Sequence, residues 1–172
     1  LGSCVDSELP TEEVIVPSEK IDIEEGDSII NLTGHWDNLS AMEFSKDGKL
    51  IASGSMDLTI RIWNGVTGEE ISRLTGHTQP ISSLAFSADG KYLLSGGHDL
   101  TVRLWDLKKQ SQIRAYRGHT RFVGAVEFHP DGMRIVSGSF DKTIKIWNLD
   151  SGALSRTLRG HGSSVTSLDF SS

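Results

Sequence analysis

The dipeptide Gly-His occurs four times, at Gly34-His35, Gly76-His77, Gly118-His119 and Gly160-His161, and each copy lies 42 residues after the last. Other residues keep the same step: Ser53, Ser95 and Ser137; Asp57, Asp99 and Asp141; Trp63, Trp105 and Trp147. Four residue types holding fixed offsets through three units cannot arise by chance. A period of about 20–50 residues marks an array of stacked supersecondary units, each burying its apolar faces against its neighbours.

Each unit reads as four strands. An apolar-rich run follows Gly-His, at Leu39–Phe44, Ile81–Phe86 and Phe122–Phe128. Asp47-Gly48, Asp89-Gly90 and Asp131-Gly132 then supply hairpin turns, because Gly accepts positive φ and Asp bonds the nearby backbone. Second runs span Leu50–Ser55, Tyr92–Gly96 and Arg134–Ser139. The third runs, Thr59–Trp63, Thr101–Trp105 and Thr143–Trp147, alternate strictly, the mark of a strand with unlike faces. On that pattern Arg61, Arg103 and Lys145 are expected on a solvated face. A fourth strand ends each unit at the next Gly-His.

Gly-His, then Ser-Gly-Ser-x-Asp, then Thr-Ile-x-Ile-Trp resembles the WD-repeat family over residues 29–172. The closing Asp of the family's Trp-Asp pair survives at Asp106, with Asn64 and Asn148 in its place elsewhere. The resemblance implies an all-β fold, a β-propeller of four-stranded antiparallel blades around a channel. The repeats are about 34–75, 76–117 and 118–159, with a partial one at 160–172. It also implies a buried hydrogen-bond chain in each blade: Trp63-Ser53-His35-Asp57, Trp105-Ser95-His77-Asp99 and Trp147-Ser137-His119-Asp141. The chemistry suits this. Indole only donates, a hydroxyl passes a bond on, and neutral imidazole accepts at one nitrogen and donates at the other.

Ser, His and Asp together invite a nucleophilic-triad reading. Recurrence argues against it, since a triad is needed once and this set returns in every complete unit. No catalytic residue is therefore expected. Of the six histidines, four belong to Gly-His and fall one per blade, which disfavours a metal site; His98 and His129 complete the count. Ser95-Gly96-Gly97-His98 reads as a turn rather than a phosphate loop, and no cofactor is expected.

The formal charge of −6 is unevenly spread. Residues 1–30 hold nine acids and one base, Lys20, so they carry −8 and the remainder carries +2. An acidic, disordered arm is expected over residues 1–20, with a short strand at Val14-Ile15-Val16 as an option. Residues 21–172 form the propeller segment, opening with Ile29-Ile30-Asn31-Leu32 as the fourth strand of a preceding blade. The near-neutral body argues against nucleic acid as a partner. No apolar run reaches the ~18 residues of a membrane span. A single cysteine, Cys4, and the lack of a leader pattern favour the cytoplasm, with the nucleus as alternative.

In a four-strand meander the loop carrying Gly-His and the turn carrying the recurrent Asp share one end, the usual partner-binding face of the WD-repeat family. The residues that vary there are the candidates: Trp36, Asp37, Met56, Gln79, His98, Arg121, Phe122 and Phe140, with Asn38, Thr78, Pro80 and Thr120 beside them. Aromatic, Met and Arg side chains are the types enriched in interface cores. Phe122 has inward packing as a second option. The expected function is a scaffold that binds proteins or peptides without catalysis. The alternatives are a substrate-recognition propeller of a larger enzyme, ligase or signalling complex, and an RNA- or chromatin-associated propeller. Three complete units plus the expected strand Val165–Phe170 make about three and a half blades. A closed propeller takes ~4–8, so closure by missing repeats or self-association is expected.

Overall fold

The computed structural model describes residues 30–170. The acidic arm and the Val14–Val16 option lie outside them. Twelve strands form three sheets of four, in the orders β1-β2-β3-β4, β5-β6-β7-β8 and β9-β10-β11-β12. The first blade comprises β1 (Leu39–Phe44), β2 (Leu50–Ser55), β3 (Thr59–Asn64) and β4 (Glu70–Thr75). The second holds β5 (Ile81–Phe86), β6 (Tyr92–Gly97), β7 (Thr101–Asp106) and β8 (Ser111–Arg117). The third holds β9 (Val123–Phe128), β10 (Arg134–Ser139), β11 (Ile144–Asn148) and β12 (Leu154–Leu158). Every pairing is antiparallel. No helix among the described residues is long and apolar enough to cross a membrane.

Local chemistry sets the meander. At the first-to-second turns Gly48, Gly90 and Gly132 take φ near +70°, a region costly for other residues. Beside them the carboxylates of Asp47, Asp89 and Asp131 accept backbone N–H bonds from Lys49, Lys91 and Met133. The third and fourth strands shift register at Ile62/Trp63, Leu104/Trp105 and Ile146/Trp147. A bulge repeated at one place in each blade adds twist there.

Blades join by a knob and a hole. Gly54, Gly96 and Gly138 on the second strands have no side chain, and Ile81, Val123 and Val165 of the following unit sit over them. A Cβ on these glycines would lie 2.5, 2.8 and 2.5 Å from the covering side chain. Ser40 and Ser82 donate from their hydroxyls to the carbonyls of Ile81 and Val123, crossing the same joints. Around the first joint Ile60, Ile62 and Leu74 pack with Leu84, Leu93 and Trp105. Around the second, Val102, Leu104 and Tyr116 pack with Val126, Ile135 and Trp147.

Three expectations change. Ile30, Asn31 and Leu32 form no strand, and nothing pairs with them among the described residues. Val165–Phe170 forms no strand either. The Val165 N–H bonds the Ser139 carbonyl at 3.0 Å and the Phe170 ring lies edge-on to His129, but no ladder forms among the described residues. Arg61, Arg103 and Lys145 are not solvated: Arg61 is only 4% exposed and the other two are also buried. The alternation is real, but the third strand is interior and both of its faces are covered. Arg61 therefore bonds Glu70 and the Gly34 carbonyl, Arg103 bonds Gln112 and Asp99, and Lys145 bonds Thr157.

Candidate functional site

The recurrent polar residues are brought together within each blade. In the first, the Trp63 indole N–H donates to Ser53 Oγ at 2.8 Å, and His35 Nε2 meets the same oxygen at 2.8 Å. His35 Nδ1 lies 2.8 Å from Asp57 Oδ2. In the second blade the corresponding distances for Trp105, Ser95, His77 and Asp99 are 2.8, 2.7 and 2.9 Å. In the third, for Trp147, Ser137, His119 and Asp141, they are 2.9, 2.8 and 2.8 Å. Since the indole can only donate, Ser Oγ accepts from it and donates its own O–H to Nε2, and Nδ1–H faces the carboxylate.

Each carboxylate also anchors the tight turn that follows it. Asp57 accepts from the Thr59 N–H at 2.9 Å and the Thr59 hydroxyl at 2.6 Å; Asp99 with Thr101 and Asp141 with Thr143 repeat this. These threonines complete the chain and were open to detection, because Thr59, Thr101 and Thr143 keep the 42-residue step. Burial alone would push the Asp57 carboxyl up. Bonds from Thr59 and His35 outweigh it and hold the group at about 2. Asp99 and Asp141 are lowered by the same balance. Burial pushes the His119 imidazole down, against the opposing pull of Asp141. Every polar atom of these sets is engaged inside its own blade. His161, which begins a fourth set, is exposed.

The variable residues lie at the end of the blades where the Gly-His loops and the Asp turns meet, here called the top. His98 stacks on Phe122 of the next blade, with centroids 4.2 Å apart and planes 5° apart. Phe140 stands tilted beside Phe122 at 6.0 Å. Phe122 is 42% exposed, so inward packing is not its arrangement. The three rings make a continuous ridge over the joint between the second and third blades. Backbone bonds fix its base, from Phe140 N–H to the Phe122 carbonyl and from His98 N–H to the Pro80 carbonyl. Arg121 adjoins it, its carbonyl accepting from Ser139 Oγ.

On the first blade Trp36 is 76% exposed, and Met56 is exposed too. No aromatic contact among the described residues joins Trp36 to the ridge. Asp37 and Gln79 are exposed on the Gly-His loops of the first and second blades. Beside the first blade a recess of about 300 Å³ is lined by Leu32, His35, Leu39, Met42 and Trp63, among others.

Stacked four-stranded antiparallel blades, each pinned by an internal Trp-Ser-His-Asp chain, define a repeat-built propeller. The WD40 pattern (WD domain, G-beta repeat) matches residues 26–64, 68–106, 110–148 and 152–172, and the chain belongs to that family. The chain is 53% identical to the Notchless protein homolog of Arabidopsis thaliana over 38 residues. It is 40% identical to the human Serine-threonine kinase receptor-associated protein over 50 residues. With Protein Mut11 of Chlamydomonas reinhardtii it shares 49% over 37. These stretches cover 22%, 29% and 22% of this chain but only 8%, 14% and 10% of the relatives' lengths. Among solved structures, U3-55K and the WD40 repeats of RRP9 each superpose with a TM-score of 0.74 at 26% identity. Each superposition covers 77% of this chain and 42% of the other.

Proposed function

We propose that this chain is an interaction scaffold whose top face binds other proteins or peptides and performs no chemistry of its own. The observation that carries this reading is the His98-Phe122-Phe140 ridge, an apolar surface raised over a blade joint with Trp36 and Met56 further along the face. Exposed aromatic clusters of this kind serve as interface anchors far more often than as folding elements. Membership of the WD40 family supports the reading. So does the internal use of every recurrent Ser, His and Asp, which leaves them unavailable as nucleophile or base. The name of one relative, a receptor-associated protein, is consistent with it.

Ring closure belongs to the same proposal. Leu39 and Met42 stand at the repeat positions of Ile81 and Leu84, which are buried in the first joint. They are nevertheless 58% and 57% exposed. A further blade, from additional repeats or a second copy, would cover them.

The test is selection of displayed random peptides on the whole chain, followed by rebinding to the double variant Trp36→Ala/Phe140→Ala. Selected peptides should lose binding while the circular dichroism spectrum stays unchanged. Equal binding to both proteins would refute the top-face assignment, and loss of folding would show these residues to be core.

A further inference from the structure

We infer that the top face over the second and third blades is shaped for an acidic peptide segment bearing one aromatic or aliphatic anchor. The inference rests on the top-face reading above and narrows it to one partner chemistry. It comes from comparing equivalent positions along the repeat. Counted from the Gly-His histidine, the second, twenty-third and fortieth following residues all fall at the top. In the first blade they are Asp37, Leu58 and Thr75; in the second, Gln79, Leu100 and Arg117; in the third, Arg121, Lys142 and Arg159. Formal charge at these sites thus runs from −1 through +1 to +3 across the three blades, although the repeat itself demands no charge there.

Arg117, Arg121, Lys142 and Arg159 are all exposed. Among the described residues none of them lies within ion-pair distance of a carboxylate. The opposite end of the blades differs. There Lys91 meets Asp89 at 3.1 Å, Arg134 meets Asp131 at 2.6 Å and Lys109 meets Asp106 at 3.7 Å. Lys46 and Lys108 at that end are exposed and unpaired, but there they are interspersed with paired lysine and arginine, whereas over the second and third blades the top carries four exposed cations and no paired one. Lys142 and Arg121 also sit next to the ridge. Lys142 N–H closes the turn containing Phe140 by bonding the Ser139 carbonyl, and Ser139 Oγ bonds the carbonyl of Arg121, the neighbour of Phe122. Arg117 faces Thr101 across the second blade's outer strands. Apolar rings bounded by unpaired guanidinium and ammonium groups complement carboxylates flanking an apolar side chain.

A single-stranded nucleic acid would meet the same charges, but it needs open ring faces for its bases. Here one face of Phe122 lies under His98 and Phe140 stands tilted beside it, so the rings are already partnered with each other and less ring face is open to a base. A peptide side chain packs on edges without penalty.

Fluorescence anisotropy of the whole chain tests this with three labelled probes. They are the nonapeptide Glu-Asp-Glu-Asp-Phe-Glu-Asp-Glu-Asp, its Gln/Asn analogue, and a nine-nucleotide oligouridine. The acidic peptide should bind at least ten-fold more tightly than the neutral one and weaken as NaCl rises from 50 to 300 mM, roughly as charge screening requires. The triple variant Arg121→Glu/Lys142→Glu/Arg159→Glu should weaken it at least ten-fold with an unchanged melting curve. The milder Gln triple should fall between. No binding of the acidic peptide, equal binding of both peptides, or affinity untouched by charge reversal would overturn the inference. So would oligouridine binding more tightly than the peptide through the same residues. If the neutral peptide binds as tightly as the acidic one and Phe122→Ala/Phe140→Ala removes both, the acidic specificity fails and the scaffold reading stands. If neither the charge nor the ridge variants alter peptide binding, both readings fail.

Discussion

Replacing Asp99 by Ala tests the internal chain of the second blade most severely. In the parent the carboxylate accepts from His77 Nδ1 at 2.9 Å, Thr101 Oγ1 at 2.7 Å, the N–H groups of Thr101 and Thr78 at 3.2 Å each, and Arg103 Nη2 at 3.3 Å. Thr78 is exposed and finds water when the carboxylate is gone. His77 and Arg103 are buried and do not. A buried pair broken from one side costs about 3–5 kcal/mol, because the remaining group keeps its desolvation penalty. At about 2–4 °C per kcal/mol for a chain of this size, the melting temperature should fall by roughly 6–20 °C. Asp99→Asn, which keeps one acceptor oxygen, should lose less than half as much. Thermal melts followed by circular dichroism and tryptophan fluorescence read both variants. An Ala variant melting within about 2 °C of the parent, within the scatter of a neutral surface change, would refute the claim that Asp99 pins the blade.

Acid should loosen the blades in two stages. His119 is held neutral below its ordinary 6.5, so its contribution is present above that pH and is lost as pH falls through its lowered folded value. Asp57 is held at about 2 against roughly 3.9 unfolded, so its contribution is lost as pH drops from about 4 toward 2. Urea melts at pH 7.5, 5.5 and 3.5 should show midpoints falling at each step; a midpoint independent of pH would contradict both assignments. Trp105→Phe, which removes the indole N–H on Ser95 and leaves a cavity where the larger ring was buried, should cost about 2–4 kcal/mol in the same assay. Gly54→Ala places a methyl 2.5 Å from Ile81 and should cost about 1–3 kcal/mol by overpacking the first joint, measured by denaturant unfolding.

Strand order, turn positions and the partners within each Trp-Ser-His-Asp chain could be read before any coordinates, because they follow from offsets repeated three times. Position-by-position variation then pointed to the top face, yet it could not say which candidates touch. His98 and Phe122 are far from adjacent in sequence and belong to different blades; only the stacking of one blade on the next brings their rings to 4.2 Å. The same stacking explains the error over Arg61, Arg103 and Lys145. A cation alternating with Ile or Val reads as half-solvated when a sheet has one wet face, and these sheets have neighbours or loops on both. The edges were misread for the converse reason. Val165–Phe170 has the composition of β1, β5 and β9, but a strand is a property of a pair, and no described residue completes a ladder with it.

The glycine hole and its covering knob make the stack directional. Each unit offers a socket on its second strand and a plug on its first, so units join in only one sense and each joint repeats the geometry of the last. Coupling is then confined to neighbours. A further 42-residue unit spliced in at a Gly-His boundary should seat itself using contacts already present, and a change that weakens one joint should leave the next joint's strength unaltered.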